Sequence, residues 1–301
     1  MRKSSMFVSA QFTGVCFVGG TGFFFISVAL TGLSFGQVSW FRILLGCVAM
    51  LLVVPLASRF DIPKQAYVWF QISILAMLNL VVPFFLLSWS QQSIPTGLAT
   101  MYMSFVPIAA VLFSTILFRV EKLSVVQIIG LLVGIAGIAT LLAPWNGSGG
   151  ADLWGSVACL SAAVSIGFSF AYTRRLLNQI SISASFLALL EFCVATVVML
   201  AATPWISLGE ARFSLSVVAS LVILGLIGTG FGVMWSLNVV QAWGPSRASM
   251  STLLSPAIGL SIGIVFLGES LHWYQALGGT ALVLTVPLMN SARHPRPDSD
   301  Q

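Results

Sequence analysis

The chain has 301 residues, of which 58% are hydrophobic and 7% charged, with a mean hydropathy of +1.01. Too little polar surface remains to solvate a water-soluble globule, which excludes the roughly two soluble domains that length alone suggests and makes lipid the main solvent. The formal net charge of +5 comes from lysines and arginines set singly or in pairs between apolar runs, not from the basic face that nucleic-acid binding requires.

A membrane-crossing helix needs about 20 apolar residues. Cut at its charges, prolines and polar clusters, the chain gives ten such segments, 9–31, 36–57, 66–89, 95–118, 124–143, 153–173, 182–203, 215–239, 247–267 and 271–290. The first follows Arg2 and Lys3, as a secretory signal would. It is longer than a signal's apolar core and has no small-x-small cleavage site ahead of a polar domain, so it reads as a retained helix.

The loops test the count, because lysine and arginine collect on the cytoplasmic side. With the N-terminus inside, that side holds eleven of them: Arg2, Lys3, Arg59, Lys64, Arg119, Lys122, Arg174, Arg175, Arg247, Arg293 and Arg296. The external loops hold Arg212, and Arg42 lies within the second segment. A missed helix would scramble this alternation, so both termini are expected in the cytoplasm. Asn146-Gly147-Ser148 is a glycosylation sequon in an external loop, with no role assigned. Cys16, Cys47, Cys159 and Cys193 all sit inside apolar segments without a CxxC pair or nearby histidine, which predicts neither disulfide nor metal site.

"FRVEKLSVVQIIGL" (118–131) returns as "FLGESLHWYQALGG" (266–279), an offset of 148 with five identities in fourteen positions. Gln91 and Pro95 recur as Gln241 and Pro245, Pro107 as Pro256, and the intramembrane charge Arg42 is matched by Glu191. The offset contains five segments, an odd number, so the second unit enters the membrane from the opposite side. The expected fold is all-α, an integral membrane protein with ten transmembrane helices in a 5+5 inverted-topology repeat around a central cavity, the symmetry of alternating-access carriers. The units are 1–147 and 148–292, followed by a cytoplasmic tail, 293–301.

Pro95-x-Gly97-x-Ala99 at the fourth segment, Pro107 in its middle, and the series Pro245, Ser255-Pro256, Leu267-Gly268-Glu269-Ser270-Leu271 and Gly278-Gly279 together resemble the EamA-type drug/metabolite transporters over essentially the whole chain. The resemblance implies a membrane exporter of small metabolites whose cavity is lined chiefly by helices 1, 3, 4, 6, 8 and 9. The first unit departs from the pattern, with Arg119-Val120-Glu121 where the second has Leu267-Gly268-Glu269.

Several residues carry both a structural and a functional reading. Glu121 and Glu269 sit before the next helix, where a carboxylate favours the positive end of the helix dipole. Arg42 and Glu191, costly inside a bilayer, must face protein or water. They serve either as a substrate-carboxylate anchor and a proton-coupling group or as interhelical bonds. Ser251, Ser255, Gly259 and Gly263 form a small-residue packing stripe, as Gly130 and Gly134 do. Pro83, Pro107 and Pro256 free backbone carbonyls within spans and are candidate hinges. Candidate substrate contacts on the cavity helices are Asn79, Tyr102, Ser104, Phe168, Trp235, Asn238, Thr252 and Ser255, with Trp89 and Tyr172 nearer the interfacial belt. Gly19-Gly20-Thr21-Gly22 and Gly228-Thr229-Gly230 lack the lysine and strand–helix context of a phosphate loop.

These features predict a secondary transporter of the bacterial inner membrane, acting as a monomer on a small-molecule substrate, without cofactor. An intramembrane enzyme would need a nucleophile–base pair or metal cluster, and the histidines, His272 and His294, lie at a helix entry and in the tail. A non-transporting membrane subunit is the third class. Without a deep lysine–arginine cluster, multiply charged phosphates and nucleotide sugars fit poorly. Amphipathic solutes fit better, aromatic or hydrophobic amino acids first and organic cations or drugs as the alternative.

Overall fold

The computed structural model describes residues 2–57, 62–120, 125–142, 153–180, 182–206, 209–253, 255–268 and 272–290, and all regular structure among them is helical. In lipid every backbone N–H and C=O must be satisfied within its own segment, and a helix does this. Helix α1 (Arg2–Leu30) is followed by α2 (Phe35–Ala57). Next, α3 (Ala66–Ala76) runs through a π-helical stretch, Met77–Val81, into α4 (Val82–Ser90). Helices α5 (Thr96–Met103) and α6 (Val106–Leu112) follow, the latter ending in a π-helical stretch, Phe113–Leu117. Then come α7 (Val125–Leu142), α8 (Leu153–Leu177) and α9 (Ala184–Ile206). Helix α10 (Leu215–Val222) continues through a π-helical stretch, Ile223–Phe231, into α11 (Gly232–Trp243). A short α12 (Pro245–Ser249) and a 3-10 turn, Met250–Leu253, precede α13 (Ser255–Leu267) and α14 (Trp273–Asn290).

Seven stretches among the described residues are long and apolar enough to cross a membrane: Met6–Leu30, Phe35–Pro55, Ala66–Ser90, Thr96–Leu117, Leu153–Leu177, Ala184–Trp205 and Leu215–Trp243. The outward faces agree: Phe17, Leu52, Phe70, Trp205, Leu215 and Val265 are all exposed, an arrangement suited to acyl chains and unfavourable in water. The sequon at 146–148, Glu121, Glu269 and the tail 293–301 lie outside the described residues.

Local sequence sets the helix ends. Ser34 and Gln37 form a capping box at the start of α2: the Ser34 N–H donates to Gln37 Oε1 at 2.9 Å and the Gln37 N–H to Ser34 Oγ at 3.3 Å. Ser214 caps α10, accepting from the Val217 N–H. Pro107 occupies the first turn of α6, after the break at Ser104–Phe105, where a missing N–H costs little, and Pro256 is the second residue of α13. Pro83 lies inside the continuous 66–90 helix just after its π-helical stretch, where the Leu78 carbonyl accepts from Ser165 Oγ at 2.6 Å. The turn after the Phe113–Leu117 stretch and the turn after α13 both need a left-handed residue. Gly268 supplies φ +66°, while Arg119 adopts φ +52° at a steric cost that glycine avoids.

Irregularities recur at matching places. The π-helical stretches Met77–Val81 and Ile223–Phe231 lie about one repeat offset apart, and the α5/α6 break at Ser104–Phe105 matches the 3-10 turn at Met250–Leu253, each just ahead of a proline. Helix packing pairs in the same way. Helix α2 packs on the 223–231 stretch as α9 packs on α3; α1 on α11 as α8 on α4; α1 on α13 as α8 on α5 and α6; and α7 lies against α14. Two loop regions meet at one end of the bundle, where the Arg212 N–H donates to the Gly32 carbonyl at 2.8 Å and Gln37 Nε2 to the Gly209 carbonyl at 3.2 Å. Two glutamines from equivalent positions tie helix ends: Gln91 Nε2 donates to the Phe23 carbonyl at 3.1 Å, and Gln241 Oε1 accepts the Ala184 N–H at 3.2 Å.

Candidate functional site

At the centre of the bundle is a cavity of ≈ 130 Å³. Its walls are mainly apolar, with Phe23, Ile26, Phe84, Met103, Ile166 and Phe170 prominent, and its polar groups come from Arg42, Asn79, Ser236, Ser251, Thr252 and Ser255. Glycines make the room: Gly19 and Gly22 of α1, Gly228 of the π-helical stretch and Gly232 of α11 all border it. Other glycines close the surrounding packing. Leu45 seats on Gly225, Phe192 on Gly46 and Ala49 on Gly230, so α2 lies tight against both α9 and the 223–231 stretch.

That packing fixes Arg42. Its guanidinium lies 3.8 Å from the centroid of the Phe84 ring, and Nε donates to Thr229 Oγ1 at 2.6 Å. Thr229 in turn donates to the Leu224 carbonyl at 2.8 Å, a bond across the widened π-helical turn. Arg42 is 8% exposed, borders the cavity, and its Nη1 is buried without a hydrogen-bond partner. The ion pair found among the described residues joins Arg212 to Glu210 at the surface. The buried guanidinium is thus held on one flank by a hydroxyl and on one face by a ring, and it forms no ion pair among the described residues.

Glu191 does not pair with Arg42. It is fully buried, and its Oε2 accepts from Asn79 Nδ2 at 2.8 Å while Oε1 has no hydrogen-bond partner. Asn79 Oδ1 accepts from Ser169 Oγ at 3.0 Å, and Ser169 also contacts the Ile166 carbonyl at 2.7 Å. Asn79 stands on the Met77–Val81 stretch, so both π-helical turns bring a polar side chain to the cavity region, one directly and one through Arg42.

Three of the remaining hydroxyls are committed as donors. Ser236 gives its proton to the Gly232 carbonyl at 2.8 Å, Ser251 to Ala248 at 2.7 Å and Thr252 to Ser249 at 2.7 Å. These three residues line the cavity, and their oxygens keep acceptor capacity.

Of the candidate substrate contacts, hinges and intramembrane charges, Asn79, Thr252, Ser255 and Arg42 border the cavity and the others stand elsewhere, while Ser251 of the small-residue stripe and Gly19, Gly22 and Gly228 of the glycine-rich stretches border it as well. Tyr102 is fully buried with its hydroxyl donating to Ser156 Oγ at 3.0 Å. Ser104 lies buried in the α5/α6 break. Phe168 joins Phe113, Phe118 and Tyr172 in a ring cluster with centroids 5.0 to 6.0 Å apart. Trp235 packs on Gly14 of α1 and on Phe231, and Asn238 accepts from Ser185 Oγ at 2.9 Å. Pro83, Pro107 and Pro256 are buried beside the two breaks and the first π-helical stretch. Ser169, Ser236 and the three phenylalanines Phe23, Phe84 and Phe170 were not singled out, and Thr229 was named only within a stretch rejected as a phosphate loop. For Thr229 the signal was present, a threonine between two glycines inside an apolar span.

An all-helical, multi-pass membrane protein with a solute-sized cavity at its centre is the class that these features define. The sequence profile of the EamA-like transporter family matches residues 9–143 and, a second time, 153–291, and the chain belongs to that family. Among its relatives, "Uncharacterized transporter YdfC" of Bacillus subtilis is 24% identical over 94% of this chain and 90% of that protein. "Probable terminal-alkyne amino-acid exporter" of Streptantibioticus cattleyicolor is 29% identical over 68% of this chain and 67% of its own length. "Uncharacterized inner membrane transporter YedA" of Escherichia coli is 24% identical over 67% and 64%. A crystal structure with 17% sequence identity superposes with a TM-score of 0.67, covering 94% of this chain and 96% of the other, a likeness of fold.

Proposed function

We propose that the protein is a secondary transporter that exports small amphipathic metabolites, aromatic or otherwise hydrophobic amino acids foremost, by alternating access. In this reading the helices form ten spans in a 5+5 inverted repeat, both termini are cytoplasmic, and the membrane is the bacterial inner membrane. The observation that carries it is the cavity's double parentage. Its wall draws on α1, α2, the first π-helical stretch, α4 and α5 from the first family match, and on α8, the second π-helical stretch, α11, the 3-10 turn and α13 from the second. A site built at the junction of two repeats is one that rocking of one repeat against the other can open to either side.

Several observations support the arrangement. Paired helix contacts, matched π-helical stretches and matched breaks are what a pseudo-two-fold axis produces. The loops at 31–34 and 209–214 meet at one end of the bundle, as they must if both are external. The cavity's ≈ 130 Å³ is close to the roughly 150 Å³ known to accept a benzene ring, and its phenylalanine-rich wall suits an apolar side chain. The name of the Streptantibioticus relative points to an amino-acid solute. A cation in the wall weighs against organic cations as the alternative solute.

The test is a solute screen by counterflow in proteoliposomes containing the purified protein. Phenylalanine, tryptophan and leucine are expected to exchange ahead of sugars and phosphates. Strong exchange of a sugar phosphate with indifference to these amino acids would overturn the substrate class, and no exchange of any solute would overturn the transporter reading.

A further inference from the structure

We infer that Arg42 is the anchor for a carboxylate on the transported solute, so that the cavity selects small apolar molecules carrying a single carboxylate, with or without an amino group. The inference rests on the transport reading of the same cavity and names the chemical group that the site requires. Three features converge. Arg42 is more than nine-tenths buried and borders the cavity. Its Nη1 has no partner, although a buried charged donor left unpaired is strongly disfavoured. The carboxyl group of Glu191, the buried acid on neighbouring α9, is instead engaged by Asn79.

The rest of the guanidinium is pre-organised. Thr229 fixes Nε and the Phe84 ring lies beside the planar group, so the guanidinium is held in place with Nη1 left as an unpartnered donor for a carboxylate oxygen. One cation can neutralise one carboxylate, whereas a phosphate dianion would remain half-compensated in this apolar wall. An α-ammonium, when present, finds the acceptor oxygens of Ser236, Ser251 and Thr252, whose protons are committed to their own helices. Phe23 and Phe170 border the space left for an apolar side chain.

The test separates carboxylate from ammonium recognition with four probes of one shape: phenylalanine, 3-phenylpropionate, phenylalaninamide and phenethylamine. Binding to the purified wild-type protein in detergent is read by thermal-shift titration, and transport by counterflow in proteoliposomes. Phenylalanine and 3-phenylpropionate are expected to bind roughly 10- to 100-fold more tightly than the two probes without a carboxylate. Arg42→Gln should abolish that difference and Arg42→Lys restore part of it. Equal binding of acid and amide, binding of none of the four, or an Arg42→Gln protein that retains the preference would each overturn the inference. Should Arg42→Gln fail to fold, the acid-to-amide ratio of the wild-type protein decides alone. The two readings fail in different ways. Acids that bind without being moved leave the anchor standing and remove the transport reading, whereas exchange of a solute in the screen without any carboxylate preference does the reverse.

Discussion

The bond between Asn79 and Glu191 joins the first π-helical stretch to α9 and crosses from one family match to the other, which makes it a sharp test of the site's architecture. Asn79→Ala removes the donor 2.8 Å from Glu191 Oε2 and leaves a fully buried carboxyl group without any hydrogen-bond partner, since Oε1 already has none. Loss of such a bond costs about 1.5–3 kcal/mol when the acceptor is charged and about 1 kcal/mol when it is neutral. The small void left by the amide adds to this, so about 2–3 kcal/mol is expected. Ser169 keeps its contact with the Ile166 carbonyl and contributes little. Glu191→Ala should cost a similar amount, because it strands the Asn79 amide. The double variant Asn79→Ala/Glu191→Ala should then be less destabilised than the sum of the singles by about 1–2 kcal/mol. Equilibrium unfolding in detergent, followed by tryptophan fluorescence, measures all four corners of the cycle. Additivity within about 0.5 kcal/mol would show that the two side chains do not interact and would refute the reasoning.

Other expectations follow from single positions. At Gly167 a methyl group would meet Ala109 Cβ and come within 2.8 Å of the Val106 carbonyl oxygen and the Ala110 nitrogen of α6. Gly167→Ala should therefore destabilise by about 1–2 kcal/mol despite the helix preference of alanine, and an unchanged melting temperature would contradict the α6–α8 packing. Gly22→Ala meets Leu224 at an ordinary 3.8 Å, so stability should hold while the cavity narrows and exchange of bulky solutes slows more than that of small ones. Arg119→Gly relieves a left-handed residue and should raise stability by about 0.5–1 kcal/mol, a gain that calorimetry would detect and whose absence would refute the strain. In a background lacking the native cysteines, single cysteines at Glu210, exposed in the 209–214 loop, and Gln65 should differ. The first should react with an impermeant thiol reagent outside intact cells and the second should not, and labelling at 65 would break the ten-span topology.

Much of the helical framework was legible because lipid imposes one rule on every segment: apolar for about 20 residues, then a break at charge, proline or polar cluster. The helices α2, α3–α4 and α5–α6 therefore begin and end within a few residues of the predicted segments. The irregular turns were not legible, since neither Met77–Val81 nor the three glycines of Ile223–Phe231 specify a π-helical turn by themselves and the widening depends on what packs beside them. The site was legible in part for the same reason. Asn79, Thr252 and Arg42 are polar in apolar surroundings, which sequence displays. Tyr102 and Trp235 look equally conspicuous, yet a Ser156 hydroxyl across the helix interface satisfies one and a glycine notch in α1 seats the other, neither of which is visible along the chain. Phe23, Phe84 and Phe170 are indistinguishable in sequence from core or lipid-facing rings. Gly228-Thr229-Gly230 reads along the chain only as a failed phosphate loop, and its role emerges with Arg42 opposite it.

The most direct test of the central claim, that the cavity between the two family copies is the route of transport, is counterflow of labelled phenylalanine through Ser236→Cys in the background without native cysteines. Ser236 borders the cavity on α11. A methanethiosulfonate reagent added on either side of the proteoliposome should block exchange in this variant and not in the cysteine-free parent, and excess phenylalanine should slow the block. Full exchange after verified modification of residue 236 would contradict the account.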